Sequence, residues 1–308
     1  MTGAVLTKSG SRPQKMLYWL KRHWFDCVNL TFMLGFCFIT LYPLYNVLIG
    51  SFNQGLDYTA GGVYWWPRKW SLDNYLIVIS DKRIWQGYYI TVMRALFGTL
   101  LHLIVTTMVA YAMSRRDLRF KRFFYWVNII TMFFGGGLIP YFVILKYTNL
   151  LNSFWVYVIP CAYSVFNMIV FQNFFKQLPE ELHESAELDG AGEFRIYARI
   201  IIPLSKPIIA TVTLWTVVYH WNSYLDSMYF VTDSNLYSLQ YVLMRIIKET
   251  SVPAGGGIFA LPPNIMETIS PKTVSLAAII VTTIPILAIY PFLQKYFAKG
   301  IMIGSLKG

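Results

Sequence analysis

The chain has 308 residues, 56% of them hydrophobic and only 13% charged, and a formal net charge of +11. A soluble domain carries about 25% charged residues, so this composition excludes an ordinary soluble enzyme and points to the bilayer. The basic residues are dispersed between apolar runs, which argues against a nucleic-acid surface and for a topology signal.

The first apolar run follows a basic segment, residues 1–27. It is too long for a signal-peptide core and lacks a small-residue cleavage site, so it is expected to stay as a span. A spanning helix needs about 20 mostly apolar residues. Six segments qualify: Val28–Gly50, Tyr88–Met113, Phe123–Leu145, Phe154–Phe175, Ile208–Val231 and Thr273–Leu293. In lipid the backbone must satisfy itself, which makes these spans helices, and no period-two alternation suggests a β-barrel. The expected fold class is an all-α integral membrane protein: a six-helix domain over 28–293 and a C-terminal tail over 294–308.

Two longer connections separate spans on one side, about 51–87 and 232–272. The first holds Gly61-Gly62, Trp65-Trp66-Pro67 and Trp70, an aromatic cap suited to the interface. The second holds Pro253, Gly255-Gly256-Gly257 and Pro262-Pro263 and reads as loop. The other side carries 17 Lys and Arg against eight on this one, which places both termini and the loop at about 176–206 in the cytoplasm. The basic stretch 114–122 reads as an anchor near anionic lipid. Cys27, Cys37 and Cys161 make no disulfide framework, and neither they nor the four histidines have metal spacing. No cofactor is expected in this chain.

The loop at 176–206 is an acidic and basic stretch set between apolar spans. Pro179 suits a first helical turn, and Glu180, Glu181 and Glu184 crowd the end where the helix dipole favours negative charge. Leu182, Ser185 and Ala186 form a small-residue face. Asp189-Gly190-Ala191-Gly192 is a poor place to continue a helix, and Gly190 is free to take a positive φ or to let another backbone approach closely. A second helix, 193–202, follows, with Phe194, Tyr197 and Ile201 on one face. Pro203 is expected to end it, and Ser205 to cap the next span with Pro207 in its first turn. By these features alone the loop could simply seal the bundle.

The pattern Glu184-Ser185-Ala186, Gly190, then Ile200-Ile201-Ile202-Pro203 resembles the EAA cytoplasmic loop of ATP-binding cassette (ABC) importer permeases. Ser185 stands where that pattern has its middle alanine and Ile202 where it has leucine. Nearly the whole chain resembles the maltose-permease-like group of carbohydrate importers, including Ala110-Tyr111-Ala112-Met113-Ser114-Arg115. The Phe134–Pro140 stretch and the tail Tyr290–Gly304 look like a subgroup associated with oligosaccharides from complex polysaccharides. The resemblance implies a type I importer, with a second homologous permease, two ABC ATPase subunits and an extracytoplasmic solute-binding protein. It implies that Glu184, Ser185, Ala186, Asp189, Gly190, Ile200 and Pro203 dock an ATPase and couple it to the pore. ATP and Mg would be bound by those partners, because this chain has no Gly-x-x-x-x-Gly-Lys-[Ser/Thr] phosphate loop and is not expected to be an enzyme. The implied cargo is an oligosaccharide, with an acidic one among the candidates.

Polar residues inside spans are costly in lipid and point to a transport path. Tyr219, Asn222, Ser223 and Asp226 fall at i, i+3, i+4 and i+7 in the fifth span, flanked by Trp215 and His220. Asn167 and Arg94 are further candidates, and His102 reads as packed in the bundle. These residues either line the path or hydrogen-bond between helices. Gly135-Gly136-Gly137 either breaks the third span or permits close helix packing. The competing class is a stand-alone secondary transporter or channel, for which Arg94, His220 and Asp226 would suit proton coupling. The absence of evident inverted halves argues against it.

Overall fold

A computed structural model describes residues 23–251 and 269–305. Residues 1–22, the Pro253–Pro263 glycine and proline cluster, and 306–308 lie outside the described residues, as do the side chains of the tail motif from 289 onward. Among the described residues the fold is helical, with one isolated bridge, Asn53 to Trp70. The helices are α1 (Trp24–Ser51), α2 (Gly55–Thr59), α3 (Asp73–Ser80), α4 (Lys82–Ser114), α5 (Lys121–Phe133), α6 (Leu138–Tyr147) and α7 (Val165–Phe175). They continue with α8 (Glu181–Leu188), α9 (Glu193–Leu204), α10 (Lys206–Asn222), α11 (Leu225–Phe230), α12 (Leu239–Ser251) and α13 (Pro271–Ser305).

Among the described residues six continuous spanning helices are not found. Three of the described helices, α1, α4 and α13, are long and apolar enough to cross a membrane, or five spans if each of two bent pairs counts as one. The expected third span breaks into α5 and α6, bent by 114°. Gly137 there has φ +83°, and a Cβ at Gly135 or Gly137 would meet nothing within 4 Å. The glycines therefore break the helix, and within this chain no other segment packs closely on Gly135 or Gly137. The expected fourth span is a 3-10 turn (Phe154–Tyr157), an irregular stretch through Pro160, and then α7, only 11 residues long. Non-helical backbone at membrane depth persists where protein groups satisfy it. Here His102 Nδ1 lies 2.9 Å from the Cys161 carbonyl, and Thr106 donates to the Ala162 carbonyl at 3.5 Å. The expected fifth span stops at Asn222, because Ser223 turns extended (φ −72°, ψ 127°) before α11 begins.

Three buried clusters hold these pieces. Ile84 and Trp221 join Leu239, Val242, Leu243 and Ile246 of α12 and Val274, Ala277 and Ala278 of α13. The α12 residues lie at i, i+3, i+4 and i+7, so a helix stands where the composition of 232–272 suggests only loop. Near the opposite end of α4, Ala110 and Met113 pack with Met168, Phe171 and Phe175 of α7 and with Ile196 and Ile201 of α9. Between them, Ile90, Leu145, Val156, Tyr157 and Phe230 close around the α11 turn. In lipid such clusters are held by close van der Waals packing and interhelical hydrogen bonds, since lipid tails are as apolar as the side chains themselves.

Candidate functional site

The α8–α9 connection is a helix–turn–helix with a specific lock. Ala191 N–H donates to Ala186 O and Gly190 N–H to Glu187 O, each at 2.9 Å, with Gly190 at φ +75°. This is the Schellman pattern, whose left-handed residue is best glycine. His183 and Ala186 turn inward, while Glu184, Ser185, Leu188, Asp189 and Gly190 stay exposed, Leu188 at 90%. The inner face is therefore His183 and Ala186, with Leu182 and Ser185 exposed. Pro203 does not end the second helix. A π turn over Tyr197–Ile201 widens it, so the chain passes Pro203 as helix to Leu204 and bends by 81° into α10. The π turn also shifts the buried face to Ile196 and Ile201 and leaves Phe194 71% exposed. Ser205 occupies the α10 N-cap position but makes no side-chain capping bond.

Glu193, which sequence reasoning passed over together with His183, ties this loop to α4. Tyr111 donates its hydroxyl to Glu193 Oε2 at 2.5 Å, His183 Nε2 lies 3.2 Å from Oε1, and Arg115 Nη2 lies 3.7 Å from Oε1. Partial burial opposes ionisation of Glu193. The Tyr111 and His183 hydrogen bonds and the Arg115 charge outweigh it and hold the carboxyl below its ordinary pKa. Thr107 and Tyr197 add a hydroxyl pair at 2.8 Å.

Midway along the bundle lies a cavity of about 470 Å³ lined by His102, Cys161, Asn167, Trp215, Tyr219 and His220, among others. Irregular residues around Pro160, together with α4, α7 and α10, shape it. With Nδ1 donating to Cys161 O, His102 accepts from Asn167 Nδ2 at 2.8 Å through Nε2, which fixes both side chains. Neither ring nitrogen of buried His220 has a hydrogen-bond partner among the described residues. Tyr219 and Trp215 present partly exposed rings. Among the described residues no group of His, Cys, Asp or Glu is arranged to hold a metal.

Asn222, Ser223 and Asp226 do not line this cavity. The break at Ser223 destroys the single helix face that their spacing suggests. Asp226 instead accepts from Arg94 Nη2 at 2.8 Å and from Ser223 Oγ at 2.7 Å, while Arg94 Nη1 donates to the Ser223 carbonyl at 3.2 Å. The Arg94 guanidinium is fully buried and sits 4.4 Å from the Tyr157 ring centroid. Tyr157 donates to the Leu236 carbonyl and lies 2.7 Å from Ser227 Oγ. A charged, bonded node thus clamps the α10–α11 turn to α4. Arg94 does not snorkel to an interface.

A broken-helix bundle with an exposed helix–glycine–helix loop at one end and a polar, ring-lined cavity inside it defines a transport permease. The chain belongs to the binding-protein-dependent transport system inner membrane component family, whose profile matches residues 102–303. It is 34% identical over 293 residues to the polygalacturonan/rhamnogalacturonan transport system permease protein YtcP of Bacillus subtilis (strain 168), covering 94% of this chain and 100% of that protein. It is 36% identical over 287 residues to Protein LplC of the same organism, covering 92% and 95%. Among solved structures, a chain of a bacterial ABC transporter involved in the import of the acidic polysaccharide alginate superimposes with a TM-score of 0.83 at 30% identity, covering 94% of this chain and 100% of that one.

Proposed function

We propose that this chain is one permease of an ATP-driven importer that moves an oligosaccharide, delivered by a solute-binding protein, across a bacterial inner membrane by alternating access. The observation that carries the reading is the α8–α9 lock, which leaves Glu184, Ser185, Asp189 and Gly190 exposed on a rigid projection while His183 and Glu193 bind its base to α4. A partner ATPase seated on that projection would move α4 and α10 with it. Ala186, Ile200 and Pro203 belong to the same docking unit. The domain is the helical region 28–293, with both termini cytoplasmic, as the 17-to-eight distribution of basic residues suggests. The expected complex holds a second homologous permease and two ATPases, which bind ATP and Mg.

The cavity is suited to sugar. Asn167 offers hydrogen bonds, and Tyr219 and Trp215 offer flat faces to a pyranose ring, while the buried ring of His220 closes the wall behind them. The names of the relatives, built on polygalacturonan and alginate, favour a polysaccharide-derived, acidic cargo. Arg94 is already neutralised by Asp226, so this chain grips hydroxyls and ring faces and leaves carboxylate recognition to its partners. The test is uptake of a labelled oligogalacturonide into vesicles holding the assembled importer. ATP-dependent accumulation that needs the solute-binding protein supports the reading, and accumulation driven by a proton gradient without ATP would overturn it.

A further inference from the structure

On the same side as the α8–α9 loop, a second cavity of about 340 Å³ opens between the end of α4, the start of α5, the end of α7 and α8. Its walls include four cations, Arg115, Arg116, Lys121 and Lys176, against a single carboxylate, Glu180. Glu180 pairs with Arg116 at 2.9 Å, and Arg115 faces Asp117 at 3.3 Å and Glu193 at 3.7 Å. Lys121 donates to the carbonyls of Ser114 and Arg115, which holds its ammonium at the rim with a donor to spare. Among the described residues neither Lys121 nor Lys176 has a carboxylate partner within ion-pair distance. Four like charges brought together from two separate segments repel one another, and the carboxylates present do not balance them. The remaining wall is mixed: Phe175, Leu178, Pro179 and Ile201 are apolar, and Tyr111, Ser114 and His183 are polar.

We infer that this cavity binds a phosphate group, carried by an anionic phospholipid headgroup, with Lys121 and Lys176 as its principal cations and the Phe175–Leu178 wall beside its acyl chains. A phosphodiester supplies the missing negative charge and accepts charge-assisted hydrogen bonds from both ammonium groups. The apolar part of the wall, Phe175, Leu178 and Ile201, favours a lipid over a free anion, and a basic recess between helices is a setting in which such lipids bind. A lipid held here touches α5 and α7 together and sits against the base of the α8–α9 loop.

The test uses the full chain in its assembled importer, in nanodiscs of phosphatidylcholine with or without phosphatidylglycerol, and native mass spectrometry to count retained phosphatidylglycerol. The variant Lys121→Gln/Lys176→Gln is compared with Arg119→Gln/Arg122→Gln, two neighbouring cations that do not line the cavity. The first should weaken phosphatidylglycerol retention about tenfold, and the second should change it much less. A thermal melt in phosphatidylcholine alone separates loss of binding from loss of fold. If misfolding occurs, Lys176→Gln alone, on an exposed residue, repeats the comparison. Equal losses in both pairs, or none in either, would overturn the site. Inorganic phosphate raising the melt of the wild type as much as the lipid does would overturn the lipid assignment and leave a free-anion site.

Discussion

Arg94 donates to Asp226 at 2.8 Å across 132 positions of sequence, and this pair closes the gap where the fifth apolar segment breaks. The guanidinium is fully buried and the aspartate side chain is 19% exposed. Removing one partner of such a pair leaves an uncompensated buried charge and costs about 3–5 kcal/mol. Asp226→Asn and Arg94→Met should each lower the yield and melting temperature of the complex and lose uptake and ATPase activity together. The double change should recover part of the stability. Normal yield with selective loss of uptake in Asp226→Asn would make the pair part of the sugar path instead.

The cavity predicts the opposite pattern. Tyr219→Ala or Asn167→Ala should lower uptake about several-fold while the assembled complex keeps its ATPase rate, as expected for neutral hydrogen bonds worth about 0.5–1.5 kcal/mol at about 1.4 kcal/mol per tenfold. Asn222→Ala, exposed and away from the cavity, should have the smaller effect. Uptake assays on the three purified variants rank them, and an Asn222 effect larger than that of Tyr219 contradicts the placement.

Gly190 concerns coupling. A Cβ there meets nothing within 4 Å in this chain, so Gly190→Val adds only left-handed backbone strain of about 1–2 kcal/mol, without a clash inside the chain. Glu184→Lys, on an exposed residue, should leave stability unchanged. Both variants should reach the membrane yet lose binding-protein-stimulated ATPase activity, which copurification of the ATPase and a stimulation assay measure together. Full stimulation in both rules out docking at this turn.

Acid should loosen the loop. The carboxyl of Glu193 is held below its ordinary value, so its hydrogen bonds contribute stability that is fully present above the unfolded carboxylate pKa of about 4.3. That contribution is lost as pH falls through the lower, folded value. Melts of wild type and Glu193→Gln should therefore differ near neutrality and converge in acid. A constant difference across that range would assign the effect to packing.

Gly98 tests how tightly α4 and α10 are joined. A Cβ there would meet His220 Nε2 at 2.3 Å, so Gly98→Ala forces the buried ring to move. A loss of about 1–3 kcal/mol is expected from such overpacking, readable as a lower melting temperature. His220→Ala combined with Gly98→Ala should relieve the strain.

Hydropathy, basic asymmetry and the Glu184–Gly190–Pro203 spacing are local properties of the chain, and they were enough to show the membrane setting, the helical class and the resemblance to a permease loop. The turn at Gly190 was legible for the same reason, since a missing Cβ acts at its own position, whereas Gly135-Gly136-Gly137 fitted a break and close packing equally well. The bend at Ser223 was not, because Tyr219, Asn222 and Asp226 keep helical spacing in the sequence whether or not the helix continues. Only the tertiary structure decided that Asp226 answers Arg94, that Glu193 gathers Tyr111 and His183, and that His102 holds the carbonyl of Cys161. Each of these bonds offsets the cost of a buried polar group with a partner from another segment, and that partner is chosen by packing in three dimensions, which no periodicity along the chain encodes.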